Sequence, residues 1–226
     1  VFVVFWFCCD YLSYVASRYF EPSGYDTEHT YTVSMDKNDE IEETPDDRYG
    51  NALLFKERLK NYPGIEKVCF SSGAMPYQGS TIRYGFVIND DSVYYNVLYR
   101  EVTPEYFEVF RMNMDQGRIF NDAEITEDKG VAIISGDRYG FFSDNNNIGI
   151  PVQEVKQLKP GKSSTYSNLV VGVAGKQKCS VFDPYENTVY KPLPRNNYHC
   201  QSEIIIRVNP DADIDFQEKF TRDMKD

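Results

Sequence analysis

The sequence predicts an α+β fold, and three observations carry that reading. A strand–helix–strand pattern centres on Glu101–Phe120, EVTPEYFEVFRMNMDQGRIF, after an alternation of Tyr95, Val97 and Tyr99. A β-α-β pattern precedes it between Thr30 and Ser71. Beyond Asn121 the texture changes to strand-like runs with little helix between them.

Val1–Cys9, VFVVFWFCC, opens the chain as an uninterrupted apolar run that stops at Asp10. A spanning helix needs about 20 apolar residues, so this run is too short alone. Val1, Phe2, Val3, Val4, Phe5, Trp6 and Phe7 are expected to form the trailing part of a membrane anchor whose start lies before Val1. A signal-peptide hydrophobic region and a buried core helix are the other readings. No basic flank precedes the run and no small-residue cleavage site follows it at once, which favours the anchor. Tyr11, Tyr14, Arg18 and Tyr19 then follow as amphipathic residues do where a helix leaves a bilayer.

Pro22 and Gly24 in FEPSGYD turn the chain into a domain. Tyr31, Val33 and Met35 alternate as a half-buried strand, and Asp36–Asp47 is acidic and solvated. Thr44-Pro45 predicts a helix start, with Asp46 and Asp47 at its positive end and the helix running to about Asn61. Its buried stripe is expected to include Tyr49, Ala52, Leu53, Lys56 and Leu59. Tyr62-Pro63-Gly64 ends it, Ile65–Ser71 returns as a strand, and Arg83–Ile88 with Val93–Glu101 form a hairpin round Asn89-Asp90-Asp91.

Thr103 then caps a short helix whose first residue is Pro104, with Glu105 at its N-terminal dipole. Tyr106, Phe107 and Phe110 share one face of it. Gly117 with Arg118-Ile119-Phe120 turns into another extended segment. Val131–Ser135 is an apolar strand, and Gly136–Phe142 is a short helix before Asn145-Asn146-Asn147. Leu169–Gly175, LVVGVAG, is the strongest strand, with Gly172 and Gly175 marking close backbone approach. Thr188–Pro192 and Glu203–Val208 are strands, and a last amphipathic helix carries Phe216, Phe220 and Met224. The chain stops inside that helical pattern, which predicts a continuation past Asp226.

The 226 residues hold enough apolar and aromatic area for a real core, at 41% hydrophobic and 15% aromatic. A net charge of −11 argues against nucleic acid, which needs clustered Lys and Arg. Five cysteines show no CxxC pair, and His29 and His199 stand far apart, so no zinc pattern exists. Cys179 and Cys200 are candidates for a disulfide in an oxidising compartment; buried free thiols, Cys69 included, are the alternative.

Motif fragments fail on inspection. Gly161-Lys162-Ser163 has the end of a phosphate-binding loop without its earlier glycine, which is replaced by Lys156, or a strand feeding it. Asp211, Asp213 and Asp215 lack the glycine and glutamate of an EF-hand loop. No nucleophile elbow occurs. No catalytic, metal or cofactor site is expected, and an extracytoplasmic hydrolase is the weakest of the functional readings.

Taken in order, the apolar helix, the PSGYD turn, NYPGIEKV, VTPEYFEVFRMNMDQGRIF, VAIIS, Ile148-Gly149, LVVGVAG and EIIIRVNP resemble the extracytoplasmic core domain of MacB-like, FtsX-like ABC transporter permeases. The resemblance rests most on Thr103, Pro104, Tyr106, Phe107 and Phe110, on Gly117, Arg118 and Phe120, and on Gly172, Val173 and Gly175. It implies two subdomains, a porter-like β-α-β part over 25–116 with 201–226 and a smaller β-rich, Sabre-like part over 117–200, after a membrane helix end and stalk over 1–20. It also implies a periplasmic domain on a bacterial inner membrane protein that couples ATP hydrolysis by a cytoplasmic ABC ATPase to export or extraction of a substrate. Its partners would be that ATPase, a second permease copy, the lipid bilayer and a periplasmic or lipoprotein substrate, with no cofactor and no nucleic acid. The aromatic face of Tyr106, Phe107 and Phe110 is expected to couple the subdomains. The rival reading is a membrane-anchored sensor or ligand-binding module with a cleft between the subdomains.

Overall fold

A computed structural model describes residues 1–34, 44–77, 82–88, 95–126, 130–136, 147–155, 167–197, 203–212 and 215–224. Met35, most of the acidic loop, the Asn89-Asp90-Asp91 turn, the segment read as a short helix at 137–142, Gly161-Lys162-Ser163, His199, Cys200 and Asp213 lie outside the described residues.

Strands β1 (Thr30–Val33), β2 (Ile65–Ser72) and β10 (Glu203–Val208) form one part of the fold. β10 pairs antiparallel with both β1 and β2, so the C-terminal strand fills the gap left by the β-α-β crossover. Helix α2 (Pro45–Lys60) makes that crossover. Thr44 and Asp47 exchange side-chain and backbone hydrogen bonds at its start, which satisfies two otherwise orphaned N–H groups. Ala52, Lys56 and Leu59 are buried as expected, but Leu53 is exposed, because the helix rests on a stripe narrower than the sequence suggests.

The second part is a closed ring. β4 (Tyr95–Val102) pairs with β3 (Arg83–Ile88), β3 with β7 (Pro151–Val155), and β7 with β8 (Ser167–Ala174). β8 pairs with β6 (Val131–Ser135), β6 with β9 (Thr188–Pro192), and β9 returns in parallel to β4. Closure leaves none of these six strands with a free edge, and the interior is filled by Phe86, Val97, Ala132, Ile134, Val152, Val170, Val173 and Val189. β4 also pairs with β2 through Ser71–Val102, so one strand belongs to both parts.

Period-two alternation distributes the core. Ile204, Ile206 and Val208 face α2 with Val68 and Phe70, whereas Ile205 and Cys69 face the opposite side. On that side lies α3 (Tyr106–Val109), between the sheet and the outer wall of the barrel. β5 (Met114–Gly117) lies against β8. The extended segment expected after Gly117 therefore comes before it, and the residues after it lead into α4 (Asp122–Thr126), which the apolar pattern does not announce. Asn121 and Glu124 cap that helix reciprocally.

α3 is four residues long, and Thr103 does not cap it with its side chain. Its Oγ1 accepts instead from the Phe70 N–H of β2 at 3.2 Å, its side chain also hydrogen-bonds Glu105, and the Thr103 carbonyl serves the turn, accepting from Tyr106 N–H at 3.0 Å. Finally, α5 (Phe216–Asp223) packs outside α2 and β1.

Candidate functional site: the strap after the first helix

α1 (Phe2–Phe20) is one continuous helix, about 28 Å long. Phe2–Phe7 are 61% to 79% exposed, an unpartnered apolar surface. Among the described residues no helix is long and apolar enough to cross a membrane. The helix ends at Glu21, and the extended strap Glu21–Glu28 carries the chain into the sheet.

Three buried cations grip this strap, each from a different region of the chain. Lys178, 1% exposed, donates to the Arg18 carbonyl at 2.6 Å and the Glu21 carbonyl at 3.3 Å, and pairs with the Glu21 carboxylate at 3.0 Å. These are the last, unsatisfied acceptors of α1, where the helix dipole is negative, so a buried ammonium is well placed. Hydrogen bonding to Lys178 pulls the Glu21 carboxyl below its usual range. The Lys178 N–H also donates to Ser23 O at 3.0 Å, and the Tyr185 hydroxyl donates to Pro22 O at 3.0 Å. Gly24 follows with φ +84°, and a Cβ there would stand 2.1 Å from the Lys176 carbonyl. No other residue fits that approach.

Arg100, on β4, comes next. It is 3% exposed and donates to the Tyr25 hydroxyl, to Tyr106 Oη and Ala74 O at 3.4 Å each, and to Cys179 Sγ at 3.7 Å. Among the described residues no carboxylate pairs with it. Burial opposes its charge, but the ring of acceptors more than offsets that, and the guanidinium stays protonated. Burial likewise pushes the Tyr106 and Tyr190 phenols and the Cys179 thiol up, so all stay neutral.

Arg207, on β10, is 1% exposed and reaches three backbone carbonyls, Val109 at 2.5 Å, Asp26 at 2.6 Å and Glu28 at 3.0 Å, with the Asp26 carboxylate at 3.4 Å. Arg111 holds the same carboxylate at 3.0 Å. Burial works against ionisation of Asp26, but the Glu28 N–H, Arg207 and Arg111 together lower its pKa. The Asp26 N–H donates to Phe110 O at 2.9 Å. The strap is therefore tied to the segment before β9, to the strand shared by both parts, and to the inserted C-terminal strand.

Several of the expected site residues converge beside it. Tyr106, Phe107, Phe110 and Phe120 lie in one cluster with Tyr25, Cys69 and Ile205 on the sheet side and Ile133, Ala174 and Tyr190 on the barrel side. Phe107 meets Tyr190 at 5.2 Å and Phe120 at 6.1 Å between ring centroids, and Tyr106 meets Phe110 at 4.8 Å. Thr103 is buried next to them, and Pro104 opens the turn before α3. Gly117 and Gly172 form a separate close contact: they are register partners, and a Cβ on Gly172 would stand 2.3 Å from Arg118 O. Gly175 has no such crowding, its nearest neighbour being 3.6 Å away. Val173 lines the barrel, Arg118 forms a two-pronged pair with Glu124 at 2.6 and 2.8 Å, and Val1–Phe7 stand apart on α1. Cys8, Cys9, Cys69 and Cys179 are free thiols.

Sequence reasoning missed Lys178, Arg100 and Arg207. The available signal was a lone cation inside an apolar strand, as in EIIIRV and VLYREV, since an unneeded charge would not be kept at a buried position.

The model of the MacB-like periplasmic core domain matches residues 12–221. The chain belongs to this family. Among solved structures, the periplasmic region of MacB from Actinobacillus actinomycetemcomitans superposes with a TM-score of 0.54 at 14% identity, covering 92% of this chain and 87% of that one. A permease-protein domain from Porphyromonas gingivalis gives 0.51 at 12% identity, with 77% and 67% covered. The extracellular domain of the ABC-type transporter YknZ gives 0.48 at 14%, with 84% and 87% covered. No curated protein matches. At these identities the first two structures share the fold with this MacB-like domain, whose α+β character is that expected from the sequence.

Proposed function

We propose that this MacB-like domain transmits force for an ABC transporter permease: a cytoplasmic ABC ATPase moves the membrane helices, α1 passes the motion to the strap, and the strap moves both parts of the domain to export or extract a substrate. The observation that carries this reading is the strap itself. A helix end bonded to a buried lysine, followed within eight residues by two buried arginines from other regions, cannot tilt without displacing β4 and β10. Interiors are close-packed and stiff, so such a displacement travels. On this reading the apolar surface of Val1–Phe7 lies in the inner-membrane bilayer, a second permease copy faces the first, and the domain projects into the periplasm. ATP hydrolysis belongs to the partner, and the domain is not itself an enzyme.

The test is Lys178→Met in the full-length protein co-expressed with its ATPase. Loss of substrate-stimulated ATPase activity with basal hydrolysis and membrane abundance retained is expected. Unchanged stimulation in a folded variant sinks the proposal.

A further inference from the structure

The two ends of the described domain are joined to it in opposite ways. The strap after α1 is held by cations 1% to 3% exposed, whereas no residue of α5 is buried. What holds α5 is a rim of rings, with Tyr62 edge-on to Phe216 and Phe220 at 5.9 and 5.2 Å. Two polar contacts add to it at its far end: the Tyr62 hydroxyl donates to Asp223 Oδ2 at 3.0 Å, and Arg58 Nη2 donates to Asp223 O at 3.0 Å. Open clefts flank the helix on both sides. One, of about 480 Å³, lies by Gly64, Asn209 and Lys219; the other, of about 640 Å³, lies by Val33, Phe55, Phe220 and Met224. The chain leading to α5 is anchored at Asn209, whose N–H donates to Gly64 O at 2.8 Å.

We infer that α5 is a releasable latch that swings about Asn209 while α1 and its strap stay fixed to the sheet. Apolar side chains around a cleft lack partners on one side, so α5 has little to lose when it lifts. A buried cation taken from its carbonyls would lose every acceptor at once. Opening breaks the Asp223 contacts and the packing of Phe216, Phe220 and Met224 at the edge of the core, with no fully buried side chain withdrawn from α5, and it uncovers Ile206 and Val33 beneath. In the force-transmission reading, on which this consequence rests, α1 is the driving arm and α5 the compliant one.

The experiment is amide hydrogen exchange on the 226-residue chain in detergent. The Lys219 and Met224 amides, bonded to Asp215 O and Phe220 O, are compared with those of Asp26, Lys178 and Val208, bonded to Phe110 O, Ser23 O and His29 O. Exchange about 100-fold faster in α5 is expected, since local opening is decoupled from global unfolding where burial is slight. A ratio below tenfold overturns the latch. In the double variant Tyr62→Phe, Asp223→Ala, α5 exchange accelerates further and the strap amides do not change; parallel acceleration of both sets would show one cooperative unit and also overturn it. Neither measurement involves an ATPase, so the latch and the force-transmission reading fail independently.

Discussion

Arg207→Met puts the strap to the severest test. The substitution keeps most of the side-chain volume and removes a guanidinium that serves Val109 O, Asp26 O, Glu28 O and the Asp26 carboxylate. The guanidinium that serves them is 1% exposed, and methionine in its place donates nothing. A charged hydrogen bond contributes ~1.5–3 kcal/mol, but the losses share one side chain and are not additive. Removing one partner of a buried ionic network costs ~3–5 kcal/mol, so about 4 kcal/mol is expected. For a chain of this length 1 kcal/mol moves Tm by ~2–4 °C, which places the expected drop near ~12 °C in thermal unfolding followed by circular dichroism. Arg207→Lys can reach one or two of the carbonyls but not fork across three, and is expected to recover less than half of the loss. A Met variant melting within ~3 °C of the parent would mean that the strap is held by something other than this cation, and the argument for a rigid joint at α1 would go with it.

Phe107→Ala leaves a cavity between the sheet and the barrel, where the ring is 1% exposed, and should cost ~3–5 kcal/mol in chemical denaturation. If both stability and transport-coupled ATPase activity were untouched, the aromatic cluster would not couple the two parts. Gly172→Ala forces a methyl to 2.3 Å from Arg118 O and 2.6 Å from Met114 Cε, so it should unfold or fail to accumulate, while Gly175→Ala, with 3.6 Å of room, should melt within ~2 °C of the parent. Acid should weaken the fold through Asp26 and Glu105. Burial opposes ionisation of Glu105 as it does of Asp26, but Lys56 at 2.6 Å outweighs it, so both folded pKa values lie below the unfolded ~3.9 and ~4.3. Their contribution is complete above about pH 5 and is lost as pH falls through the unfolded values toward the folded ones. Asp26→Asn should therefore flatten the fall in Tm between pH 5 and 3, and an unchanged slope would remove Asp26 from the account.

Local chemistry made much of this domain legible before any tertiary information. Thr44-Pro45-Asp46-Asp47 writes a helix start whose capping box is complete within four residues. VAIIS, TVYKP and EIIIRV state their own strand limits, because apolar β-branched runs bounded by turn residues leave few alternatives. The aromatic helix face at Tyr106, Phe107 and Phe110 and the close approach at Gly172 were also readable, since each follows from spacing or from the lack of a side chain. β7, PVQEV, was not, because its apolar positions are too few to mark a strand alone and only pairing with β3 and β8 makes it one.

The tertiary structure alone decided three things. Insertion of β10 between β1 and β2 depends on a gap created some 130 residues earlier, and no local pattern records it. Closure of the barrel is the parallel return of β9 to β4, a long-range pairing that leaves no trace in either strand's sequence. Residues Arg83–Val102, grouped by the sequence with the first part, thereby supply two of the ring's six strands. Thr103, which the sequence assigns to a helix cap, accepts instead from the Phe70 N–H of β2, a donor that sheet geometry alone places beside it. The cations at 100, 178 and 207 illustrate the same division. A charge in an apolar strand signals that a partner must exist, because burying it alone is too costly. Where the partner lies is set by the fold, and here all three cations converge on the eight residues that follow the first helix, Lys178 at Glu21, Arg100 at Tyr25 and Arg207 at Asp26 and Glu28.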